Sequence, residues 1–479
     1  MESSSQNTKA LKAGGWYIIC NFIVKGLSVL TTPVFTRLLS SEDYGIVATY
    51  SSYTSLFAII ATLDLYSCVQ ISKQDWDTDN NQFVCSVLTL SSISTVAFFG
   101  ILLAICSFFP DILGIPVVLV KIMFLEVIFS NAFTLIQTQH RAYLRYKQVV
   151  FLTLFQAIAG TILSVFFVLG MKENRYEGRI AGMALAIMIV GVYVSYTIIK
   201  KGKYTWYKKE YWKYAINISL PLVPHHLSAN VLSNFDRIMI MSFCDVGYTG
   251  IYNLGYSCGA MLQLLWSSFN GAWVPWFYDA MKEEKYEDIK RAVKPYLLLF
   301  SVFVLGIVAI APELIKILGP EMYWTAKWVV PPVALGLFCQ FLYSLYVNIE
   351  FYYKKTKMIA SMTIVSAALN IILNLVFIQL FGYLAAAYTT LASYLFLFAA
   401  HYIIADRLMG KDIIYSKKFI FATIVSVSVM TFILMLFYSH FFVRILITLF
   451  GIMCVGIIEK NDIIWIFGSI IKKEKNVRT

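Results

Sequence analysis

The chain has 479 residues, 59% of them hydrophobic and only 14% charged, with a mean hydropathy of +0.71. Soluble domains carry roughly 45–50% apolar and about 25% charged residues, and a single core stops growing near about 250–300 residues; a water-soluble globule is excluded, and a bilayer must solvate most of this chain. The net charge of +12 invites a nucleic-acid reading, but Lys and Arg fall in short clusters between apolar runs, the pattern that retention of positive loops in the cytoplasm produces.

Met1 to Ala10 is polar and short, and the apolar run after it has no clear small-residue cleavage site. The first run is therefore expected to stay as a helix and not to be a cleaved signal peptide. A membrane-spanning helix needs about 20 predominantly apolar residues. Runs that qualify lie at 14–36, 45–69, 83–109, 117–138, 149–170, 180–199, 215–243, 250–278, 295–318, 327–351, 359–380, 384–405, 418–438 and 442–459. The expectation is an all-α integral membrane protein with about fourteen transmembrane helices. Segment 461–471 is too short to span and is expected along the membrane surface. The loops are all short, so no extramembrane domain is expected.

With the N-terminus inside, 29 of the 39 Lys and Arg fall in cytoplasmic segments and five in external ones; the other five (Lys25, Lys121, Arg237, Lys316, Arg444) lie within helices. This asymmetry over short loops predicts that both termini are cytoplasmic.

The chain also repeats itself. Tyr44-Gly45-Ile46-Val47-Ala48-Thr49-Tyr50 resembles Thr249-Gly250-Ile251-Tyr252-Asn253-Leu254-Gly255-Tyr256 at an offset of 205. Gly178-Arg179-Ile180-Ala181-Gly182-Met183-Ala184 resembles Gly382-Tyr383-Leu384-Ala385-Ala386-Ala387-Tyr388 at an offset of 204. Six helices followed by six in the same orientation imply two lobes, 1–210 and 211–410, with 411–479 carrying two further helices and a cytoplasmic tail. Transporters built from such repeats hold substrate near the midplane between their halves.

Asn21, Lys25, Ser28 and Thr32 follow the spacing i, i+4, i+7, i+11, which lines one face of the first helix. Lys25 lies about 20 Å along that helix from Lys12, too deep to snorkel with ease. A cation at that depth should face protein or water. Adding the repeat offset gives His226, Asn230, Ser233 and Arg237 in the seventh helix, a second polar face with a cation. Asn, Ser and Thr also hydrogen-bond between membrane helices as packing glue, and that alternative stands for Asn21, Ser28, Thr32, Asn230 and Ser233. For Arg237 a local ion pair with Asp236 is the alternative. His225 and His226 follow Pro221 and Pro224, which interrupt the seventh helix, and broken helices at membrane depth line cavities. A histidine there serves either as a proton carrier or as a neutral lining residue.

Asp64 and Glu350 sit near expected cytoplasmic ends, where they can reach water. Glu126 lies deep in the fourth helix, the better candidate to partner a luminal cation or take a proton. Coupling to H+ or Na+ thus rests on Glu126 and Asp64. Lys121 is placed to snorkel, and Glu42 and Asp43 belong to a short external turn. The eight cysteines are scattered through apolar segments without a CxxC pair, as small buried apolar residues are. No GxxxxGK[ST], HExxH or GxSxG is present, so no ATP engine, cofactor, metal site or catalytic residue is indicated.

Phe35-Thr36-Arg37-Leu38-Leu39-Ser40-Ser41-Glu42-Asp43-Tyr44-Gly45 resembles the first external turn of the bacterial polysaccharide flippases, the Wzx-type transporters. Asn370-Ile371-Ile372-Leu373-Asn374-Leu375-Val376-Phe377-Ile378, running into Gly382 to Ala387 and Thr390, is similar to the same family, as is Asp236-Arg237 followed by Gly250-Ile251-Tyr252. The resemblance implies a two-lobed, V-shaped transporter of the superfamily shared with multidrug (MATE) exporters and lipid II flippases. It implies a cargo of undecaprenyl diphosphate bearing an oligosaccharide repeat unit, moved across the bacterial cytoplasmic membrane for O-antigen or capsule assembly. A cationic lumen, matched by Lys25 and Arg237, and cooperation with a polymerase and a chain-length regulator are implied as well. The physics fits: the tail stays in lipid while diphosphate and sugars, which hydrocarbon rejects, pass through a wet cavity whose cations offset the phosphate charge. The alternatives are a lipid II flippase, a MATE-type exporter of cations, which Lys25 disfavours, and a membrane-embedded polymerase or transferase, which would call for a long external catalytic loop.

Overall fold

The computed structural model describes residues 2–410 and 414–458, with side chains over 14–410 and 414–453. The expected surface segment 461–471 and the C-terminal tail lie outside the described residues. Every regular element among them is helical. The chain divides into two compact units, one running to Asn253 and the other beginning at Leu254.

The first unit holds α1 (Glu2–Leu38), α2 (Ser41–Ala61), α3 (Tyr66–Asp75), α4 (Asn80–Phe108), α5 (Val117–Ala142), α6 (Tyr146–Gly170), α7 (Arg175–Lys201), α8 (Lys209–Ser219), a 3-10 turn at Leu220–Leu222 and α9 (Val223–Phe243). Helix α10 (Val246–Gly259) crosses into the second unit. That unit continues with α11 (Met261–Lys282), α12 (Tyr286–Leu318), a 3-10 segment at Glu321–Trp328, α13 (Val330–Tyr352), α14 (Thr356–Phe381), α15 (Ala385–Met409), α16 (Lys417–Leu436) and α17 (Phe441–Ile458).

Each apolar run of the sequence is helical, but three are broken. The run 45–69 stops at Ala61, because Leu63 and Asp64 adopt left-handed φ values of 52° and 53° and turn the chain into α3. The run 215–243 is interrupted at Leu220–Leu222, where Pro221 supplies no ladder N–H. The run 250–278 divides at Ala260 into α10 and α11. Eleven described helices are long and apolar enough to cross a bilayer: α1 from Gly14, α2, α4, α5, α6, α7, and α12 to α16. Helix α9 is absent from that set because two histidines, two asparagines, three serines, Asp236 and Arg237 dilute its 21 residues.

Local chemistry starts the helices. Ser40 caps α2 by accepting the Asp43 N–H at 3.0 Å, and Glu42 and Asp43 sit at the positive end of that helix. In lipid, apolar side chains gain little from leaving the tails for one another, so close packing and internal hydrogen bonds hold helices together. Helices α6 and α7 meet where Gly182 lies so near the Ser164 backbone that a Cβ would fall 2.3 Å from the Ser164 nitrogen. The same approach lets Ser164 Oγ donate to the Arg179 carbonyl at 3.0 Å. A large core of Tyr50, Phe99, Met123 and Ile180 ties α2, α4, α5 and α7 together, and a second of Leu65, Phe83, Leu135 and Tyr211 joins α3, α4, α5 and α8.

In the second unit α13 is enclosed by protein, with 83% of its apolar window buried. Helix α17 is fastened to α12 by Arg444, which is wholly buried and grips Glu313 through Nη2–Oε1 at 2.6 Å and Nη1–Oε2 at 3.0 Å. Its Nη1 also donates to the Ala309 carbonyl, in the turn from which Pro312 withdraws a ladder donor.

Gly182→Val should lower thermal stability by roughly 1–3 kcal/mol, the range for overpacking a tight contact, measured by melting of the purified protein in detergent. Glu313→Gln should lower the melting temperature more than Arg444→Met does, because it strands the Arg444 guanidinium, whose side chain is 1% exposed, whereas Arg444→Met leaves a Glu313 carboxylate that is 35% exposed. The same melts read both.

Candidate substrate path

Helix α1 has two kinds of exposed surface. Ile19, Phe22, Ile23, Leu30 and Val34 are exposed on one side, and the helical period puts Asn21, Lys25, Ser28 and Thr32 on another. Between these faces the helix rests on α6: Cys20 is buried with its thiol 3.9 Å from the Val150 carbonyl, and Trp16 stacks on Tyr146 at 6.3 Å. The Ser28 carbonyl accepts the hydroxyls of Thr31 and Thr32 at 3.1 and 2.8 Å, so Thr32 is spent on its own helix. Asn21, Lys25 and Ser28 are exposed. Among the described residues Asn21 and Lys25 make no hydrogen bond or ion pair, which leaves an amide and an ammonium available to something else.

The turn after α2 carries Asp64. Aspartate tolerates the left-handed conformation better than most residues, and this turn points the carboxylate inward with no exposure at all. Its Oδ2 accepts the Ser67 hydroxyl at 2.5 Å and lies 2.6 Å from His226 Nδ1; Oδ1 is buried without a partner. A buried carboxylate needs such a counter-group. The His226 side chain is 33% exposed, and its ring stacks on Tyr66 at 6.4 Å. Pro221 and Pro224 set this geometry by starting α9 afresh, so that His226 occupies its first turn. Asp64, expected to reach water at a helix end, is instead enclosed and joined to His226, one of the residues expected to meet cargo.

One turn on, Ser55 of α2 donates to Asn230 Oδ1 at 3.3 Å, and Asn234 Nδ2 reaches the same oxygen at 3.4 Å. Asn230 thus serves as glue between α2 and α9. Arg237 is 5% exposed; it donates to the Ser233 carbonyl at 2.6 Å and to Asn253 Oδ1 at 3.4 Å, and lies over the Tyr252 ring at 5.5 Å. Tyr252 in turn donates to Asp236 Oδ2 at 2.5 Å. Glu126, expected to meet a cation or a proton, takes the hydroxyl of Tyr50 at 2.6 Å and links α5 to α2. The structure therefore brings Asp64 and His226 together, ties Asn230, Arg237 and Glu126 to neighbours, and leaves Asn21, Lys25 and Ser28 on an exposed face.

Sequence reasoning missed Tyr50, Ser55, Tyr66 and Ser67 as the partners of these groups. No spacing signals a phenol or a hydroxyl that meets its acceptor across two helices. It also missed His401, which binds Glu350 in the second unit at 2.5 Å. Glu350 was expected to reach water and is fully buried.

The family model described as "Polysaccharide biosynthesis protein" matches residues 10–281. A protein of the Lsg locus of Haemophilus influenzae is 23% identical over 388 residues, covering 76% of this chain and 90% of its own. Among solved structures, the lipid II flippase MurJ in an inward closed conformation matches with a TM-score of 0.69 at 14% identity, over 93% of this chain and 99% of MurJ. An inward-facing multidrug resistance MATE family transporter of the MOP superfamily matches with a TM-score of 0.63 at 12% identity, over 81% of this chain and 96% of that one. The fold is thus the one shared by MurJ and MATE transporters, and the likeness to the polysaccharide flippases read from Phe35–Gly45 and Asn370–Thr390 agrees with the matched family. With more than half of its length matched, this multi-pass membrane chain belongs to the polysaccharide biosynthesis protein family.

Proposed function

We propose that this protein moves undecaprenyl-diphosphate-linked oligosaccharide repeat units across the bacterial cytoplasmic membrane for surface polysaccharide assembly, O-antigen or capsule, by alternating access. The observation that carries the reading is Lys25: a cation well inside an apolar helix, exposed and without a partner among the described residues, in a chain of a polysaccharide biosynthesis family with a flippase-like fold. An unpaired ammonium at that depth is expensive in lipid, and a diphosphate passing along the same face would offset it. Asn21 and Ser28 would meet sugar hydroxyls, with His226, Asn230 and Arg237 contributing from α9. Asp64 and Glu126 are the acids through which H+ or Na+ would couple.

The architecture that goes with this reading has fourteen spans in a 6+6 repeat plus two. Its lobes are 1–210 and 211–410, residues 411–479 form the addition, and both termini are cytoplasmic. Transport requires no covalent step, so no enzymatic role is proposed; a polymerase and a chain-length regulator would act on the delivered lipid. Lipid II is the second reading, favoured by the MurJ likeness, and it shares the lipid diphosphate.

The test is sidedness of a fluorescent glycan on undecaprenyl diphosphate in vesicles holding the purified protein, with lipid II and a cationic dye as parallel cargoes. The repeat-unit lipid should move, and Lys25→Ala should slow it about tenfold or more, the loss of roughly 1.4 kcal/mol or more of interaction, with insertion unchanged. Movement of the dye alone would overturn the reading. His226→Leu should cost about 1–3 kcal/mol in a detergent melt by stranding the buried Asp64 carboxylate, whereas Asp64→Asn, which keeps a hydrogen bond to His226, should cost less.

A further inference from the structure

Helices α13 and α15 bring a second acid–imidazole pair together, in the second unit. Glu350 and His401 both have no exposed side-chain surface, and His401 Nδ1 lies 2.5 Å from Glu350 Oε1. One polar atom on each is unsatisfied: Glu350 Oε2 and His401 Nε2 are buried without hydrogen-bond partners, as is Asn348 Nδ2 two residues before Glu350. The Tyr343 ring stands against the imidazole at 4.8 Å. Glu350 also closes α13, its carbonyl taking the Lys355 N–H at 2.8 Å around a left-handed Lys354.

A carboxyl and an imidazole that share one proton are neutral as a pair, the least costly arrangement away from water. Whichever partner holds that proton, one polar atom on each stays without a bond. A pair kept only for stability is readily replaced by apolar packing, and unsatisfied buried atoms call for a specific account. Glu350 lies in the last turn of α13, beside the left-handed turn at Lys354.

The geometry points to Glu350–His401 as a proton-binding site that nothing else in the proposed path requires. When this end of the unit is hydrated, the pair takes one proton from water, passing from the neutral one-proton form to a carboxylic acid beside an imidazolium. The charged form is stable only while wet, so returning the proton to water accompanies re-closure. Protonation and conformation are thereby linked, and the pair joins Asp64 and Glu126 as a group through which H+ would couple; in this respect it rests on the transport reading.

Other charges near this end belong to separate elements. Helix α13 itself presents Tyr343. Helix α11 ends in Asp279 and Lys282, α12 begins with Glu287, Asp288, Lys290, Arg291 and Lys294, and α14 begins with Lys357. On α15, Asp406 is bound to Lys417 of α16 at 2.8 Å, and Arg407 follows it. Among the described residues none of these makes an ion pair with Glu350 or His401.

The test uses full-length protein in nanodiscs and infrared difference spectra between pH 8 and pH 5. A protonated-carboxyl band should appear on acidification, vanish in Glu350→Gln and change position in His401→Asn. Persistence of every carboxyl band in Glu350→Gln would overturn the site. In vesicles, an imposed pH gradient should accelerate wild-type glycolipid movement; Glu350→Gln should lose that acceleration and keep the gradient-free rate, with Glu350→Asp restoring part of it. An unchanged response to the gradient in Glu350→Gln overturns the coupling role. Melting curves of each variant separate loss of fold from loss of the proton. Should wild-type protein move no glycolipid, the flippase reading fails, while the infrared result still decides the proton site.

Discussion

A polar atom surrounded by hydrocarbon finds its partner inside the same protein or goes without one, and the cost of going without is what organises this chain. Helix–helix contacts are sealed by such partners: Ser91 accepts from Asn131 at 2.6 Å between α4 and α5, and Thr390 accepts from Asn370 at 3.1 Å between α14 and α15. Arg444 holds α17 through Glu313 in the same way. Some groups break this rule: among the described residues Lys25 and Asn21 have no partner, and Asp64, Glu350 and His401 are among the buried side chains with an unsatisfied polar atom. These exceptions divide by exposure: the α1 pair faces outward, where a ligand or water can reach it, and the others lie inside.

The apolar runs gave the helices because about 20 apolar residues in a row have few other solutions. They did not give the breaks at Leu63–Asp64 or Ala260, since the left-handed turn carries no glycine and Ala260 is an ordinary helix former. Pro221 and Pro224 did announce the break before α9. The polar stripe of α1 was legible from spacing alone, and its exposure agrees with it. The parallel stripe of α9 was legible as polar, but its partners were not. Ser55, Tyr50 and the Asp64 turn are far away in sequence, and tertiary contact alone reveals that Asn230, Glu126 and His226 are engaged.

Engagement changes what these residues can do. Asn230 and Glu126, held by hydroxyls, also join α2 to α9 and α5. His226 is different, since a partly exposed ring on a buried carboxylate senses both the surface and the interior. Under the proposed function, cargo that displaces water from His226 would also alter the environment of Asp64, a direct link between a surface ligand and the α2–α3 turn. Under the same proposal Lys25 would supply the charge for the diphosphate.

The claim on which the rest depends is that the polar face of α1 borders an aqueous glycolipid path. In a cysteine-free background, Ser28→Cys and Ile19→Cys probe the two exposed faces of the same helix with a membrane-impermeant maleimide. The account predicts that Ser28→Cys reacts, that undecaprenyl-diphosphate glycan protects it, and that Ile19→Cys stays unlabelled. Equal labelling of both positions, or labelling of Ser28→Cys that the glycolipid leaves unchanged, would contradict it.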